Sequence, residues 1–178
     1  MDAASSKMVS IYNSSLISRK IYIPYTKLSA NISNTLEEII KNKFEGKCCK
    51  EGYIKPNSCK IVNYSSGVLR EDKIIFDVVI NCHICLPTEG MVIYCNVKNI
   101  TKAGIKAEID ESPSPLIIFI SRDHHYNFDY FSNVKEDEKI LVKIIGQRFE
   151  LNDNYISIIA ELLEPGSKFK LKKKKISI

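Results

Sequence analysis

From residue 74 to residue 86 every second position is apolar: Ile74, Phe76, Val78, Ile80, Cys82, Ile84 and Leu86, while Lys73, Asp77, Asn81 and His83 share the opposite parity. A period of two held this long specifies a β-strand with one wholly apolar face, and such a face must be covered by a second layer. A candidate cover lies upstream. Ile32, Leu36, Ile39, Ile40 and Phe44 fall at offsets 0, 4, 7, 8 and 12, which is one stripe on a helix surface. Thr35 and Glu38 have capping-box spacing, Asn34 and Ser33 are the other cap candidates, and Gly46 can take the left-handed conformation that closes a helix. Two β-rich pieces come earlier, Met8-Val9-Ser10-Ile11-Tyr12 and Lys20-Ile21-Tyr22-Ile23 before Pro24. Residues 58–64, a turn-like Ser65-Ser66-Gly67 and Val68-Leu69 lead into the long strand. The expected first unit is an antiparallel sheet packed on one helix.

Pro87-Thr88-Glu89-Gly90 breaks this pattern and marks a boundary. Beyond it lie five β-type runs, at 91–97, 104–109, 116–120, 139–145 and 155–162, separated by turn signals at 99–102, 112–115 and 152–154. Five short strands, with a longer insertion between the third and fourth and no convincing helix, suit a Greek-key barrel of the OB type. SH3-like barrels share that strand count. The fold class read from the chain is therefore α+β followed by all-β. Its parts are a flexible N-terminus at 1–7, a sheet-and-helix unit at 8–88, an OB-type barrel at 89–165 and a Lys-rich tail at 166–178.

The 178 residues carry a formal charge of +5, which is unevenly spread. Residues 1–89 hold 12 basic and 9 acidic groups, residues 90–165 hold 8 and 12, and residues 166–178 hold 6 and none. The net positive charge thus sits in the tail after Pro165-Gly166, at Lys168, Lys170 and Lys172 to Lys175. Such a cluster attracts phosphate backbones or acidic protein faces; the alternative readings are a solvated tail that aids solubility and a nuclear address. No apolar run approaches the roughly 18 residues of a membrane span, and Met1 to Ser6 lack the pattern of a secretory signal. These features lead us to expect a soluble intracellular protein whose six cysteines are reduced.

Three motifs raise the question of chemistry. Cys82-His83-Ile84-Cys85 has the spacing of a zinc hook, but residues three apart in a strand face opposite ways, so buried thiols are the better expectation. Asp123-His124-His125 gathers a carboxylate and two imidazoles, yet adjacent loop residues diverge, and a polar loop at the barrel mouth is the expected role. The acidic run Glu108-Ile109-Asp110-Glu111 reads as a solvated rim rather than a Mg²⁺ site. No phosphate-binding, nucleophile-elbow or zincin motif occurs, so neither an autonomous enzyme nor a cofactor is expected. Nucleic-acid binding has more support. Tyr94, Phe119, His124, Tyr126 and Phe131 are candidate stacking residues, and Lys98, Lys102, Lys106 and Arg122 candidate phosphate contacts, with Phe119 expected in the core.

The order of parts resembles the seventh subunit of eukaryotic RNA polymerase II and its archaeal counterpart. The resemblance is carried by Met8 to Tyr12, Ile21-Tyr22-Ile23-Pro24, Leu36-Glu37-Glu38-Ile39-Ile40, Phe44-Glu45-Gly46-Lys47, Gly52-Tyr53-Ile54, the long strand, and Pro87-Thr88-Glu89-Gly90-Met91-Val92. It implies a non-catalytic stalk subunit of a multisubunit polymerase. The sheet unit would dock on the large core subunits, with Tyr53, Ile54, Lys55, Pro56 and Asn57 as docking candidates. A smaller stalk partner would lie along the junction, and the barrel would meet nascent single-stranded RNA through Tyr94, Lys98, Lys102, Lys106, Arg122 and His124, assisted by Lys172, Lys173, Lys174 and Lys175. The chain departs from the family at Lys102-Ala103-Gly104-Ile105-Lys106-Ala107, where related barrels often read Phe-Gly-Ala-Phe. The Ser-Pro-Ser-Pro insertion, the basic tail and the Lys-, Ile- and Asn-rich composition look like the polymerase subunits of large DNA viruses. A viral member would work in the virion and host cytoplasm, a cellular one in the nucleus. The alternatives are a free OB-fold RNA-binding factor of translation or RNA decay, and a metal-dependent nuclease built on Asp123, His124 and His125.

Overall fold

The computed structural model describes residues 11–28, 31–125 and 128–164. The alternating run at 74–86 forms β6 (Lys73–Cys85), the spine of the first sheet. Along one edge it pairs antiparallel with β1 (Tyr12–Pro24) without a break, from Tyr12 opposite Cys85 to Pro24 opposite Lys73. Three short strands share its other edge in tandem: β3 (Gly52–Ile54), β4 (Lys60–Tyr64) and β5 (Val68–Arg70). A two-residue strand, β2 (Cys48–Cys49), extends the sheet beyond β3.

Two separate early strands were expected where the structure has one. Ser14 and Ser18 are exposed and Ser15 is half-buried opposite Cys82, so the serines break the local pattern, but pairing along the whole of β6 outweighs their weak β-propensity. Residues 8–10 of the first expected piece lie outside the described residues.

The single long helix, α1 (Ile32–Phe44), covers the apolar face of the sheet. Leu36 and Ile40 are buried among Ile21, Ile23, Phe76, Val78, Ile80 and Ile84. Truncating a side chain such as Leu36 in that setting costs about 2–5 kcal/mol. The N-cap differs from the sequence expectation. Asn31 caps the helix, accepting a hydrogen bond from the Asn34 N–H at 3.3 Å, while the Thr35 hydroxyl donates to the Asn31 carbonyl at 3.2 Å from within the first turn. Gly46, with φ +71°, ends the helix as anticipated.

The second sheet closes on itself in the order β10-β11-β9-β8-β7, formed by β7 (Val92–Ile100), β8 (Gly104–Glu108), β9 (Leu116–Ser121), β10 (Lys139–Arg148) and β11 (Ile156–Leu163). Five closed strands with β9 parallel to β11 are consistent with an OB-like barrel. Two expectations are corrected here. β7 runs through Asn99 and Ile100, leaving only 101–103 for the turn. The 122–138 insertion contains a 3-10 turn (Arg122–His124) and a short helix, α2 (Asp129–Asn133), whose Phe131 plugs the barrel.

The barrel packs on the sheet face away from α1. Tyr12, Cys85 and Tyr53 stand side by side across β1, β6 and β3, with Cys48 next on β2, and this row shares a core with the barrel. Cys82 and Cys85 therefore face opposite ways, as their spacing implies, yet both are buried because the barrel covers the Cys85 end. Paired backbone bonds clamp the contact: the Cys48 N–H donates to the Asp153 carbonyl at 2.7 Å and the Asn152 N–H to the Cys48 carbonyl at 2.9 Å. Nearby, the Tyr12 hydroxyl donates to Glu111 at 2.8 Å while the Lys55 ammonium sits 4.4 Å from the Tyr12 ring centroid and 3.4 Å from the other Glu111 oxygen.

Candidate functional site

Lys98, Lys102, Lys106 and Arg122 lie where β7, β8 and β9 meet. Lys106 on β8 stands opposite Phe119 on β9, and Phe119 in turn stands beside Ile159 on β11. Phe119 points outward and is 43% exposed, with Ile159 at 53%, so the expectation that Phe119 fills the core is corrected. Its neighbours Ile118 and Ile120 take the inward positions instead. Five successive apolar residues concealed this parity, which pairing with Lys106 reveals.

The end of this face is a locked turn. The Thr101 N–H and hydroxyl both donate to the Gly104 carbonyl, at 2.8 and 3.0 Å, and the Arg122 N–H donates to the Ala103 carbonyl at 3.0 Å. Lys102 projects from the tip, and the Arg122 guanidinium reaches the Thr101 carbonyl at 3.5 Å while lying 5.4 Å from the Phe131 ring centroid. A β-bulge between Val97 and Asn99 leaves both Lys98 and Asn99 exposed beside β8. His124 is exposed on the 3-10 turn. Lys98, Lys102, Lys106 and Arg122 face two local acids, Glu108 and Asp123, the first of them 3.5 Å from Lys106. The arrangement suits a strand of nucleic acid, with Phe119 as a stacking platform and the basic groups following phosphates.

Tyr94 is placed apart from this group. It is exposed, with the Lys139 ammonium 5.6 Å from its ring centroid, but it lies four residues back along β7 from Lys98, about 13 Å at strand rise. Phe131 is buried and unavailable for stacking. Tyr126 and Lys172 to Lys175 lie outside the described residues.

Asp123, His124 and His125 diverge. The imidazole of His125 is buried, its Nδ1 2.7 Å from the Ser121 carbonyl and its Nε2 accepting from the Leu162 N–H at 3.0 Å. A carbonyl can only accept, so Nδ1 carries the proton and Nε2 does not. Both ring nitrogens are occupied with holding the insertion to β11, which leaves His125 neither base nor ligand.

The docking candidates divide by exposure. Tyr53 and Ile54 are wholly buried and serve as anchors, whereas Lys55 and Pro56 are half-buried and Asn57 is exposed with φ +56°. Glu45 fixes this segment by accepting from the Asn57 N–H at 2.8 Å and the Cys59 N–H at 2.9 Å. Beside it opens a cleft of about 320 Å³, lined by Arg19, Lys43, Phe44, Lys47, Lys50 and Leu151 among others. Arg19 is paired with Glu51, whose carboxyl is held below the ordinary range chiefly by that hydrogen bond. Leu151 is 71% exposed, so an apolar slot rimmed by basic groups faces outward. The cleft is hidden in the sequence because Leu151 belongs to a turn distant in the chain, although the spacing of Lys43, Lys47 and Lys50 around the helix end is a usable sign.

Among the described residues no helix is long and apolar enough to cross a membrane. No protein-family model matches the chain. The chain is similar to a protein of Acanthamoeba polyphaga mimivirus named "Putative DNA-directed RNA polymerase subunit L376", with 25% identity over 181 aligned positions that span 92% of this chain and 87% of that protein.

Proposed function

We propose that the chain is a non-catalytic stalk subunit of a multisubunit DNA-directed RNA polymerase of a large DNA virus, and that it contacts nascent RNA through its barrel. The observation that carries the reading is the mimivirus similarity, which spans both the sheet and the barrel instead of a single segment. The arrangement of parts supports it further. The sheet-and-helix unit offers a docking edge, and the barrel offers an outward face with Lys106, Phe119 and Arg122.

Docking on the large subunits is assigned to the exposed part of the Lys55 to Asn57 segment and the neighbouring basic cleft. The two are joined by backbone bonds from Gly46 N–H to the Ile54 carbonyl (2.9 Å) and from Ile54 N–H to the Lys47 carbonyl (3.0 Å). RNA contact is assigned to the β8–β9 face. Its small surplus of positive groups predicts weak affinity for free RNA and useful affinity only where the transcript is delivered to it.

Photocrosslinking tests the RNA part of this reading. In a transcribing complex that contains the chain, crosslinks from 4-thiouridine transcripts should map to peptides of residues 98–122. Crosslinks confined to other subunits would remove the RNA role while leaving membership of the polymerase open to its own test.

A further inference from the structure

The β4–β6 ladder begins with Lys60 opposite Asn81 and continues with Ile61 opposite Ile80. One step before its first pair, the same register sets Cys59 opposite Cys82. Both side chains lie on the helix side of the sheet, Cys82 inside that core and Cys59 packed against its margin.

The backbone bonds identify the type of pair. His83 turns its polar groups toward the 55–58 segment, its N–H donating to Ser58 Oγ at 3.2 Å and its carbonyl accepting from the Lys55 N–H at 2.9 Å. In an antiparallel strand its neighbour Cys82 then turns the other way, toward β1, and the Cys59 N–H is taken by Glu45. Cys59 and Cys82 thus form a non-hydrogen-bonded cross-strand pair. Such pairs have Cα atoms about 4.5 Å apart, within the roughly 4.4–6.8 Å span that a disulfide bridges.

We propose that Cys59 and Cys82 are an oxidation site, a dithiol that closes to a cross-strand disulfide in the folded protein. The other four cysteines are placed differently: Cys48 and Cys85 are kept apart by Tyr53 on the intervening strand, Cys95 lies inside the barrel, and Cys49, though in the helix-side core, stands on β2 beyond β3 with its thiol donating to the Gly52 carbonyl at 3.2 Å. With glutathione disulfide as oxidant, the partly exposed Cys59 sulfur attacks it and releases one glutathione, and the Cys82 sulfur then displaces the second from Cys59. Two protein thiols become one disulfide while one glutathione disulfide becomes two glutathione thiols, which receive the two protons. The bond would tie the entrance of β4 to the centre of the spine, closing the loop from 59 to 82.

The test is to incubate the folded full-length chain with glutathione disulfide, block remaining thiols, and map the non-reduced digest by mass spectrometry. The expected product is a monomer two hydrogens lighter, with the Cys59 and Cys82 peptides linked. Its melting temperature should rise by roughly 5–10 °C and return on reduction with dithiothreitol. Neither change should occur in Cys59→Ser, where the mutated side chain is only partly buried, or in Cys82→Ala. Retention of both thiols, a stable mixed disulfide at Cys59, or a bond between any other two cysteines would overturn the proposal.

Discussion

The Nε2 of His125 accepts a hydrogen bond from the backbone N–H of Leu162 at 3.0 Å, and through it the barrel insertion is fastened to β11. The same ring donates to the Ser121 carbonyl and stacks on Phe131, with centroids 5.2 Å apart. His125→Ala would leave the buried Leu162 N–H and the half-buried Ser121 carbonyl without this partner and open a cavity, so we expect a loss of about 3 kcal/mol in urea unfolding. His124→Ala, at an exposed position of the same motif, should change stability by less than about 0.5 kcal/mol.

Phe119 lies on the surface, so Phe119→Ala should leave the melting temperature nearly unchanged while weakening single-stranded RNA binding by about tenfold, the usual worth of one stacked base. Lys102→Ala and Lys106→Ala should each lower the slope of log affinity against log salt by roughly 0.7. Fluorescence anisotropy across a salt series measures both effects. If Phe119→Ala bound RNA as tightly as the parent chain, the β8–β9 face would not be the contact.

Gly104 opens β8 where a Cβ would fall 2.2 Å from the Ile120 carbonyl oxygen, at φ +157°. Backbone cannot move aside as a side chain can, so Gly104→Ala should cost more than about 3 kcal/mol or prevent folding. At Gly90, φ is +81° but the space is open, and alanine there should cost only about 1 kcal/mol. Parallel thermal melts of the two variants give the comparison.

The Arg19–Glu51 pair predicts a pH dependence. Hydrogen bonding from Arg19 lowers the Glu51 carboxyl below its ordinary value of 4.5. A carboxyl depressed on folding contributes stability that is present above its unfolded pKa and lost as pH falls through its folded value. Glu51→Gln should therefore be less stable than the parent chain at pH 6.5, and the gap should close as pH drops below 4.5. Urea titrations at several pH values check the sign; a gap that widened in acid would contradict it.

Burial pushes the thiols of Cys85 and Cys95 up to about 12. At pH 8 only about one such thiol in 10⁴ is ionised, so both should resist iodoacetamide until the chain unfolds. Site-resolved alkylation with and without urea reads this directly.

Periodicity made the long strand, its helix and the five barrel strands legible, because burial on one face forces alternation in β6 and a single stripe in α1. β1 was read in two pieces because Ser14, Ser15 and Ser18 meet solvent or polar neighbours and carry no apolar signal. The orientation of Phe119 was hidden in an unbroken apolar run, where only pairing with Lys106 sets parity. The contact between sheet and barrel was beyond reach, since it depends on partners as distant as Tyr12 with Glu111 and Cys48 with Asp153. Lys102, Lys106, Arg122 and His124 are legible in the sequence as residue types that suit RNA, whereas the cleft of Lys43, Lys47, Lys50 and Leu151 requires the fold to assemble it.

Membership of a polymerase underlies every functional assignment above, and it is read out by the subunit composition of the transcriptionally active RNA polymerase purified from the source. Quantitative mass spectrometry should find the chain at one copy per enzyme. The triple variant Lys43→Glu, Lys47→Glu, Lys50→Glu, still folded by circular dichroism, should be depleted from it. An active enzyme that lacks the chain altogether would contradict the assignment.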